Sequence, residues 1–260
     1  MDPNTESNEL VTGIDGLFWR AVRSLRDRVH KDGKKLSRAL DQYQVEAYEL
    51  ASLRADLYAV NSIRHYAASF TITDEASLES RLAAVFVAEA AIRMRGRFDR
   101  IRRSMQISGE DLSKVFDSLA ADEFFSQYLD PRFIEETGRQ VVETGSNGRS
   151  LLDHEHELIS DSFTKIAEDI VAPIAESIHR DDQTVPDEII RILAEMGCFA
   201  LSIPERFGGS APETGQNNLA MCVVTEELSR ASLAAAGSPL TRPEIAARAI
   251  LCLLYTSPSP

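Results

Sequence analysis

Cysteine is scarce in this sequence, and no segment is apolar over a run long enough to enter a membrane. The 260 residues include three cysteines, Cys198, Cys222 and Cys252, each set in apolar sequence. An odd, scattered set disfavours both a disulfide framework and a zinc site. The N-terminus MDPNTESNEL lacks the basic and apolar regions of a secretory signal, and no apolar run approaches the roughly 20 residues of a membrane-spanning helix. We therefore expect a cytoplasmic protein without a membrane span.

Basic residues are also in short supply, most of all in the second half. The net charge is −13, and residues 151–260 hold 7 Lys and Arg against 17 Asp and Glu, compared with 21 against 24 in residues 1–150. The second half would repel a phosphate backbone, so we expect no nucleic-acid partner. With 43% hydrophobic and 27% charged residues, the composition is that of a folded globular protein.

What the first half has in quantity is helical periodicity. Apolar residues recur three and four positions apart, which is the spacing of one buried helix face, and nothing alternates like a strand. The predicted helices run from Ile14 to Val29, from Leu36 to Val60, from about Asp74 to Ile92, and from a capping box at Ser108–Asp111 to Leu119. In the third helix the predicted buried stripe is Leu78, Leu82, Val85, Phe86 and Ile92, with Glu89 its one charged residue. The fold class is predicted to be all-α, beginning with a helical bundle.

A segment rich in Gly, Ser, Thr and Asn, TGSNGRS at 144–150, separates the two halves. Further helices are predicted at 155–178, between Pro186 and Gly197, from about Gln216 to Arg230, and from Pro243 onward. The segment FALSIPERFGG at 199–209 is predicted to be a non-helical connector, because Pro204 cannot extend a helix and Gly208 and Gly209 permit backbone angles that other residues avoid.

These patterns divide the chain into three parts. We predict a helical N-terminal extension at 1–147 and a second helical domain at 148–251. The tail at 252–260 changes from amphipathic helix to an apolar run and then to a Ser/Pro repeat. We interpret that tail as a sequence artefact, and we expect the chain to be a truncated fragment.

Two clusters of polar residues invite a functional interpretation, and a plainer one is favoured for each. The residues at 154–157, His-Glu-His-Glu, alternate around a helix start and lack the i, i+4 spacing of a shared metal face. The arginine-rich stretch at 93–103 is interrupted by an acid and by apolar residues, as in a helix with a polar face, rather than a nucleic-acid surface. No Gly-rich phosphate loop, Ser/His/Asp array or pair of catalytic carboxylates stands out. We predict no catalytic and no metal-binding residue in this chain.

Three stretches of the second half resemble the helical N-terminal domain of acyl-CoA dehydrogenases. They are IIRILAEMGCFALSIPERFGG at 189–209, VVTEELSRAS at 223–232 and SPLTRPEIAARAI at 238–250. With the acidic helix at 155–178 they follow the family's order. The N-terminal extension, with LDQYQVEAYELASL at 40–53, is similar to that of the methylsuccinyl-CoA dehydrogenase branch.

This resemblance implies the chemistry of the complete enzyme. FAD would lie between a middle β-domain and a C-terminal helical domain, a Glu base would remove the α-proton of an acyl-CoA, and the flavin would accept the β-hydride. The resemblance also implies an electron-transfer acceptor and a homo-oligomer. In that family the base and most flavin contacts follow the position matching residue 251, so we expect this fragment to be inactive and do not assign Glu205 or Glu227 as the base. The alternative is a non-enzymatic helical-bundle interaction protein.

The resemblance nominates three substrate-binding residues. In this family the segment matching Pro239–Glu244 lines the far end of the acyl pocket, which points to Leu240, Thr241 and Arg242. A guanidinium at Arg242 suits two-pronged recognition of the free carboxylate of a dicarboxylic acyl group. The plainer interpretation of Arg242 is a surface residue beside a helix N-terminus.

Overall fold

The chain folds into two compact helical units. The computed structural model describes residues 6–31, 40–71, 77–211 and 218–256. Unit 1 is Met1–Arg149 and unit 2 is Ser150–Pro260. Within those ranges all the regular elements are helices, apart from one β-bridge between Pro204 and Ala211, which confirms the all-α class. None of the described helices is apolar enough over its length to cross a membrane.

Unit 1 has more helices than the periodicity predicted. Four were expected, whereas the described part of the unit holds six, because the last expected helix is two short ones and another follows them. The predicted starts at Leu36 and Asp74 lie outside the described residues. The helices are α1 (Asn8–Lys31), α2 (Gln44–Thr71), α3 (Leu78–Ile101), α4 (Gly109–Phe116), α5 (Leu119–Tyr128) and α6 (Pro131–Thr144).

Serine caps explain why the chain forms two short helices after α3. Ser108 accepts a hydrogen bond from the backbone N–H of Asp111, whose carboxylate accepts one from the N–H of Ser108, which confirms the predicted capping box. The helix then ends at Phe116, and Ser118 caps a new one by accepting from the N–H of Ala121. The fourth predicted helix was expected to continue to Leu119 with its apolar residues on one buried face. That prediction is wrong, since Leu119 begins α5 and is 75% exposed.

Helix α3 buries an alanine-rich face instead of the predicted stripe. The large residues assigned to the stripe are only partly buried, Ile92 is exposed, and Glu89 faces solvent. Short side chains let neighbouring helices approach closely, so α3 packs against α2 along its alanines. Spacing of large apolar residues alone could not reveal this face. The buried apolar residues of α3 are Ala83, Ala84, Val87, Ala88, Ala90, Ala91, Met94, Phe98 and Ile101.

Unit 2 is a second helical cluster with its own core. A π-helical turn, Ala167–Val171, joins α7 to α8, so that the predicted helix at 155–178 is continuous but not regular. The predicted start of α10 at Gln216 lies outside the described residues. The helices are α7 (His154–Ile166), α8 (Ala172–Arg180), α9 (Asp187–Glu195), α10 (Asn218–Ser232) and α11 (Ser238–Thr256). Their core includes Phe163, Val171, Ile189, Leu193, Leu228 and Leu240.

The connector after α9 is non-helical over most of its length, as predicted, with two short 3₁₀ turns. Gly197 ends α9 with φ of +74°, and Gly208 has φ of +83°. Gly209 is needed for a different reason, because a Cβ there would stand 1.9 Å from the carbonyl oxygen of Ile203. That close approach lets the N–H of Ala211 donate to Ile203 across 2.9 Å and closes the connector into a compact loop.

Helix α11 does not start at Pro243 as predicted. The chain turns at Ser232, whose extended backbone and side chain cap a π-helical turn over Leu233–Gly237, and α11 follows directly from Ser238. Pro243 therefore lies inside a helix that has already begun, where it removes one backbone N–H from the ladder. The backbone stays helical to Thr256, and residues 257–260 of the predicted tail lie outside the described residues.

Candidate functional site

The three nominated residues lie on the first turns of α11 and have different environments. Leu240 is completely buried and belongs to the core of unit 2. Thr241 is partly buried, and its hydroxyl donates to the carbonyl of Ser238 at 2.9 Å. Arg242 is exposed, and among the described residues its guanidinium makes neither a hydrogen bond nor an ion pair. Of the three, Arg242 is the side chain with its polar atoms free for a ligand.

Sequence reasoning missed the carboxylate that ties this part of α11 to the connector. Glu244 accepts a hydrogen bond from Ser202 of the connector and one from Arg248, one turn further along α11. Arg248 also donates to Asn218 at the start of α10, with 2.8 Å between its Nη2 and the amide oxygen. Glu244 and its two partners therefore fix the connector, α10 and α11 around the turn that carries Arg242. The spacing of Glu244 and Arg248, four apart, was the available signal.

Gly209 of the connector does not form a phosphate-binding cradle. In such a cradle the space left by the missing side chain holds a ligand. Here the space beside Gly209 is filled by the backbone and side chain of Ile203. The connector thus builds the fold and holds no cofactor phosphate through this glycine.

The two acids that were not assigned as the base differ in their surroundings. Glu205 is exposed at the start of a 3₁₀ turn. Glu227 accepts from the hydroxyl of Ser160 on α7 at 3.2 Å and from Arg230 at 3.3 Å, and Arg230 also donates to Glu168. This network links α10 to α7 and to the π-helical turn that follows α7.

The His and Glu residues at 154–157 form a capped helix start. Asp153 accepts from the backbone N–H of His156, and its oxygen lies 2.7 Å from Nδ1 of the same residue. These hydrogen bonds hold the pKa of the Asp153 carboxyl below its usual range. Across the described residues, no three His, Cys, Asp or Glu side chains are grouped as metal ligands.

The arginine-rich stretch on α3 is largely committed to ion pairs. Arg97 and Arg100 both donate to the buried carboxylate of Glu49 on α2, at 2.8 and 2.9 Å. Burial opposes the charge of Glu49, but these two bonds hold its pKa below the ordinary value. Arg95 pairs with Asp117 in the same way. The positive charge is therefore used between helices, which supports the interpretation as the polar face of a packed helix.

A cavity of about 360 Å³ lies between α1 and α2 in unit 1. It is almost wholly apolar, with the side chains of Arg26, His30 and Arg54 among its lining. The chain segment that joins its two helices, 32–39, lies outside the described residues. We therefore assign no ligand to this cavity.

Comparison with known proteins gives a family match for unit 2 and a longer similarity that includes both units. Residues 153–253 match the family model for the acyl-CoA dehydrogenase N-terminal domain. The (2S)-methylsuccinyl-CoA dehydrogenase of Cereibacter sphaeroides is 32% identical over 259 residues, which is 95% of this chain and 45% of that protein. The 3-(aryl)acrylate reductase of Clostridium sporogenes is 35% identical over 78 residues, covering 30% of this chain and 19% of that protein.

A third relative, the benzylmalonyl-CoA dehydrogenase of Aromatoleum aromaticum, is 30% identical over 87 residues, covering 34% of this chain and 22% of that protein. The chain thus spans less than half the length of each of these relatives. Unit 2 is helical, and both its helices and its connector lie within the residues that match the family model. Residues 153–253 therefore match the N-terminal domain of the acyl-CoA dehydrogenase family, and the chain is similar to members of that family.

Proposed function

We propose that this chain is the N-terminal part of an FAD-dependent acyl-CoA dehydrogenase that desaturates 2-methylsuccinyl-CoA in the cytoplasm. This proposal rests on how much of the chain is similar to one relative. The relative from C. sphaeroides matches 95% of the chain, including unit 1, which precedes the family match at 153–253. The other two relatives match 78 and 87 residues. Similarity through unit 1 favours the branch that acts on methylsuccinyl-CoA.

The exposed guanidinium of Arg242 supports a dicarboxylic substrate. A methylsuccinyl group carries a free carboxylate besides its thioester, and arginine binds a carboxylate through two parallel N–H donors. Arg242 is held on a turn fixed by Glu244 but spends none of its own donors on the described residues. We propose that Leu240 and Thr241 position this turn from the core side, while Arg242 meets the distal carboxylate.

Gly209 and Glu227 are both occupied by contacts within unit 2. The space beside Gly209 is filled by Ile203, and the partly buried Glu227 accepts hydrogen bonds from Ser160 and Arg230. FAD, when bound in the complete enzyme, would accept the hydride and pass its electrons to an electron-transfer acceptor. We propose that the catalytic base and the flavin contacts come from residues outside this chain. The 260 residues alone are then inactive, because desaturation needs base and flavin on opposite faces of the reacting bond.

The decisive experiment is to recover the genomic locus and express its whole reading frame. We expect a yellow protein that reduces an artificial electron acceptor with methylsuccinyl-CoA and prefers it to butyryl-CoA. Under the same conditions the 260-residue chain should be colourless and without activity. A full reading frame that encodes no flavin-binding domain would overturn the enzyme proposal and favour the helical interaction protein. Equal rates on both thioesters would overturn the substrate proposal alone.

A further inference from the structure

The outward face of α2 in unit 1 is almost free of charge. In a chain with 27% charged residues, the positions at the centre of this solvent-exposed face hold only Gln, Tyr, Ala and Ser. Two of these positions hold large aromatic side chains that are mostly exposed, Tyr48 at 67% and Tyr58 at 69%. Neither tyrosine makes a hydrogen bond or a ring contact with another described residue. The central residues of this face, called here the α2 seam, are Gln44, Tyr48, Ala51, Ala55, Tyr58 and Ser62.

The α2 seam reads the same in both directions. Its successive members are 4, 3, 4, 3 and 4 positions apart, and the order is polar, Tyr, Ala, Ala, Tyr, polar. The alternation of three and four is the spacing that keeps a helix face turned toward a second helix along its length. A palindrome of this kind matches itself when a second, antiparallel copy is placed against it. Such a contact is the self-complementary surface of a two-fold dimer.

We propose that the α2 seam is the contact surface of a symmetric, antiparallel dimer of this chain. In that pairing Ala51 opposes the partner's Ala55, and Tyr48 opposes the partner's Tyr58. The alanines at the centre permit an interhelical distance near the lower end of the usual range, about 8 Å. The tyrosines on either side of the alanines supply the aromatic contact area typical of protein interfaces. This proposal does not depend on the proposed function.

The size of the seam sets the strength of the contact. The span from Gln44 to Ser62 covers about 27 Å of helix at 1.5 Å per residue. One helix pair of that length falls below the roughly 1,200 Å² at the lower end of stable complexes. We therefore expect a weak dimer, with a dissociation constant on the order of 10 to 100 µM.

Among the described residues of α2 between Gln44 and Ser62, Arg54 is the one exposed charge, and it should make the dimer sensitive to salt. Arg54 lies just beside Ala51 and Ala55, and the two-fold axis brings Arg54 and the partner's Arg54 onto the same side of the contact. Two guanidinium groups at such short range repel each other, and salt screens that repulsion. The dimer should therefore tighten as ionic strength rises, and the substitution Arg54→Gln should tighten it at low salt.

Sedimentation equilibrium of the full 260-residue chain, over two decades of concentration around the expected dissociation constant, tests the surface. Ala55→Lys adds a charge to a seam already flanked by two arginines, so dimerisation should weaken at least tenfold. The matched control is Val142→Lys on α6, because Val142 is 80% exposed and outside the seam. Circular dichroism checks that both variants stay folded. A chain that is monomeric throughout, or a dimer that Ala55→Lys leaves unchanged, would overturn the proposal.

Disulfide trapping tests the antiparallel register. Tyr48→Cys and Tyr58→Cys are made separately, with Cys222 and Cys252 replaced by Ser. Chains carrying the same new cysteine place it about 15 Å apart along the seam, at 1.5 Å per residue, which is out of reach of a disulfide. A mixture of the two chains should cross-link, whereas either chain alone should not. Cross-linking of one chain with itself would contradict the antiparallel pairing, as would a mixture that does not cross-link.

Discussion

The guanidinium of Arg149 donates two parallel hydrogen bonds to the buried carboxylate of Glu79. Nε lies 3.0 Å from Oε1 and Nη2 lies 3.0 Å from Oε2, and the backbone N–H of Arg149 donates to Oε1 at 2.9 Å. The same guanidinium lies over the ring of Phe70, 4.0 Å from its centroid. The hydroxyl of Tyr66 donates to the carbonyl of Arg149 at 2.7 Å. Arg149, the last residue of unit 1, is therefore anchored to the end of α2 and to the start of α3.

The Glu79–Arg149 pair should make the stability of unit 1 depend on pH in the acid range. The hydrogen bond from Arg149 is the main cause that lowers the pKa of Glu79 from 4.5 to about 2. Because the folded-state value is depressed, the stabilisation is complete above about pH 4.5 and is lost as pH falls toward 2. We expect Glu79→Gln to lower the free energy of unfolding at pH 7 by about 1.5 to 3 kcal/mol and to flatten this acid dependence.

The fluorescence of Trp19, the single tryptophan of the chain, reports on unit 1 during urea unfolding. The matched control is Glu136→Gln, since Glu136 is mostly exposed and lies 3.6 Å from Arg81. That change should alter stability by no more than about 0.5 kcal/mol. If the two variants unfold alike, the pair at Glu79 contributes no more than a surface contact.

The close approach at Gly209 should make that position intolerant of any side chain. An alanine Cβ would meet the carbonyl oxygen of Ile203 at 1.9 Å, so Gly209→Ala must open the connector. We expect the amides of Gly209, Ser210 and Ala211, which bond within the connector, to lose their protection in hydrogen exchange. Gly16→Ala is the control, because Gly16 lies inside α1 with open space around it. That change should stabilise unit 1 by up to about 1 kcal/mol. Unchanged protection in Gly209→Ala would show that the connector is not closed as described.

The cysteines of unit 2 should differ sharply in reactivity. Cys198 is buried in the core, and burial raises the pKa of its thiol to about 12. The thiolate is the reactive form, so alkylation at neutral pH should spare Cys198. Cys222 lies exposed on α10 and should be modified well before Cys198. Peptide mapping after brief treatment with iodoacetamide distinguishes the two. Modification of Cys198 in the folded chain at a rate like that of Cys222 would mean that its core opens readily.

In the complete enzyme, Arg242→Leu tests the proposed substrate class. If Arg242 binds the distal carboxylate, the loss of a charge-assisted contact should lower kcat/KM for methylsuccinyl-CoA by roughly ten- to a hundredfold. Activity on an uncharged acyl-CoA of similar length should hold or rise. Arg191→Leu on α9 is the control, since Arg191 is exposed and pairs only along its own helix in the described structure. Equal losses on both thioesters would assign Arg242 to the fold, and no loss on either would leave it a surface residue.

The parts of the fold that could be predicted from the sequence are those that depend on residues within a few positions of one another. The capping box at Ser108–Asp111 and the glycine at 197 depend on neighbours alone, and both appear as expected. The buried face of α3 could not be predicted, because alanine carries little hydrophobic signal and is buried only where another helix comes close. The start of α11 was misplaced for a similar reason. A proline is common at a helix start, but Ser232, eleven residues before Pro243, already caps the turn that leads into α11.

The residues of the candidate site could be predicted only in part from the sequence. The family resemblance points to Leu240, Thr241 and Arg242 together, but it does not say that Leu240 belongs to the core while Arg242 is exposed. The contact of Glu244 with Ser202 could not be predicted, because Ser202 lies 42 residues earlier in the chain, and only the spacing of Glu244 and Arg248 was visible in the sequence. Long-range hydrogen bonds of this kind depend on tertiary packing and leave no local pattern.

The π-helical turn at Ala167–Val171 marks the place where this helix tolerates a change in length. The buried residues Phe163, Ala167 and Val171 follow one another at intervals of four, which a wider turn aligns better than a regular α-turn does. The turn absorbs one surplus residue, so that Ile178 still reaches the core. Deleting a single residue within the turn would restore a regular helix and leave Phe163 and Ile178 on the same side. Elsewhere in α7 or α8, the same deletion would swing every later side chain by about 100°. Homologous chains that differ by one residue in this helix should therefore carry the gap here.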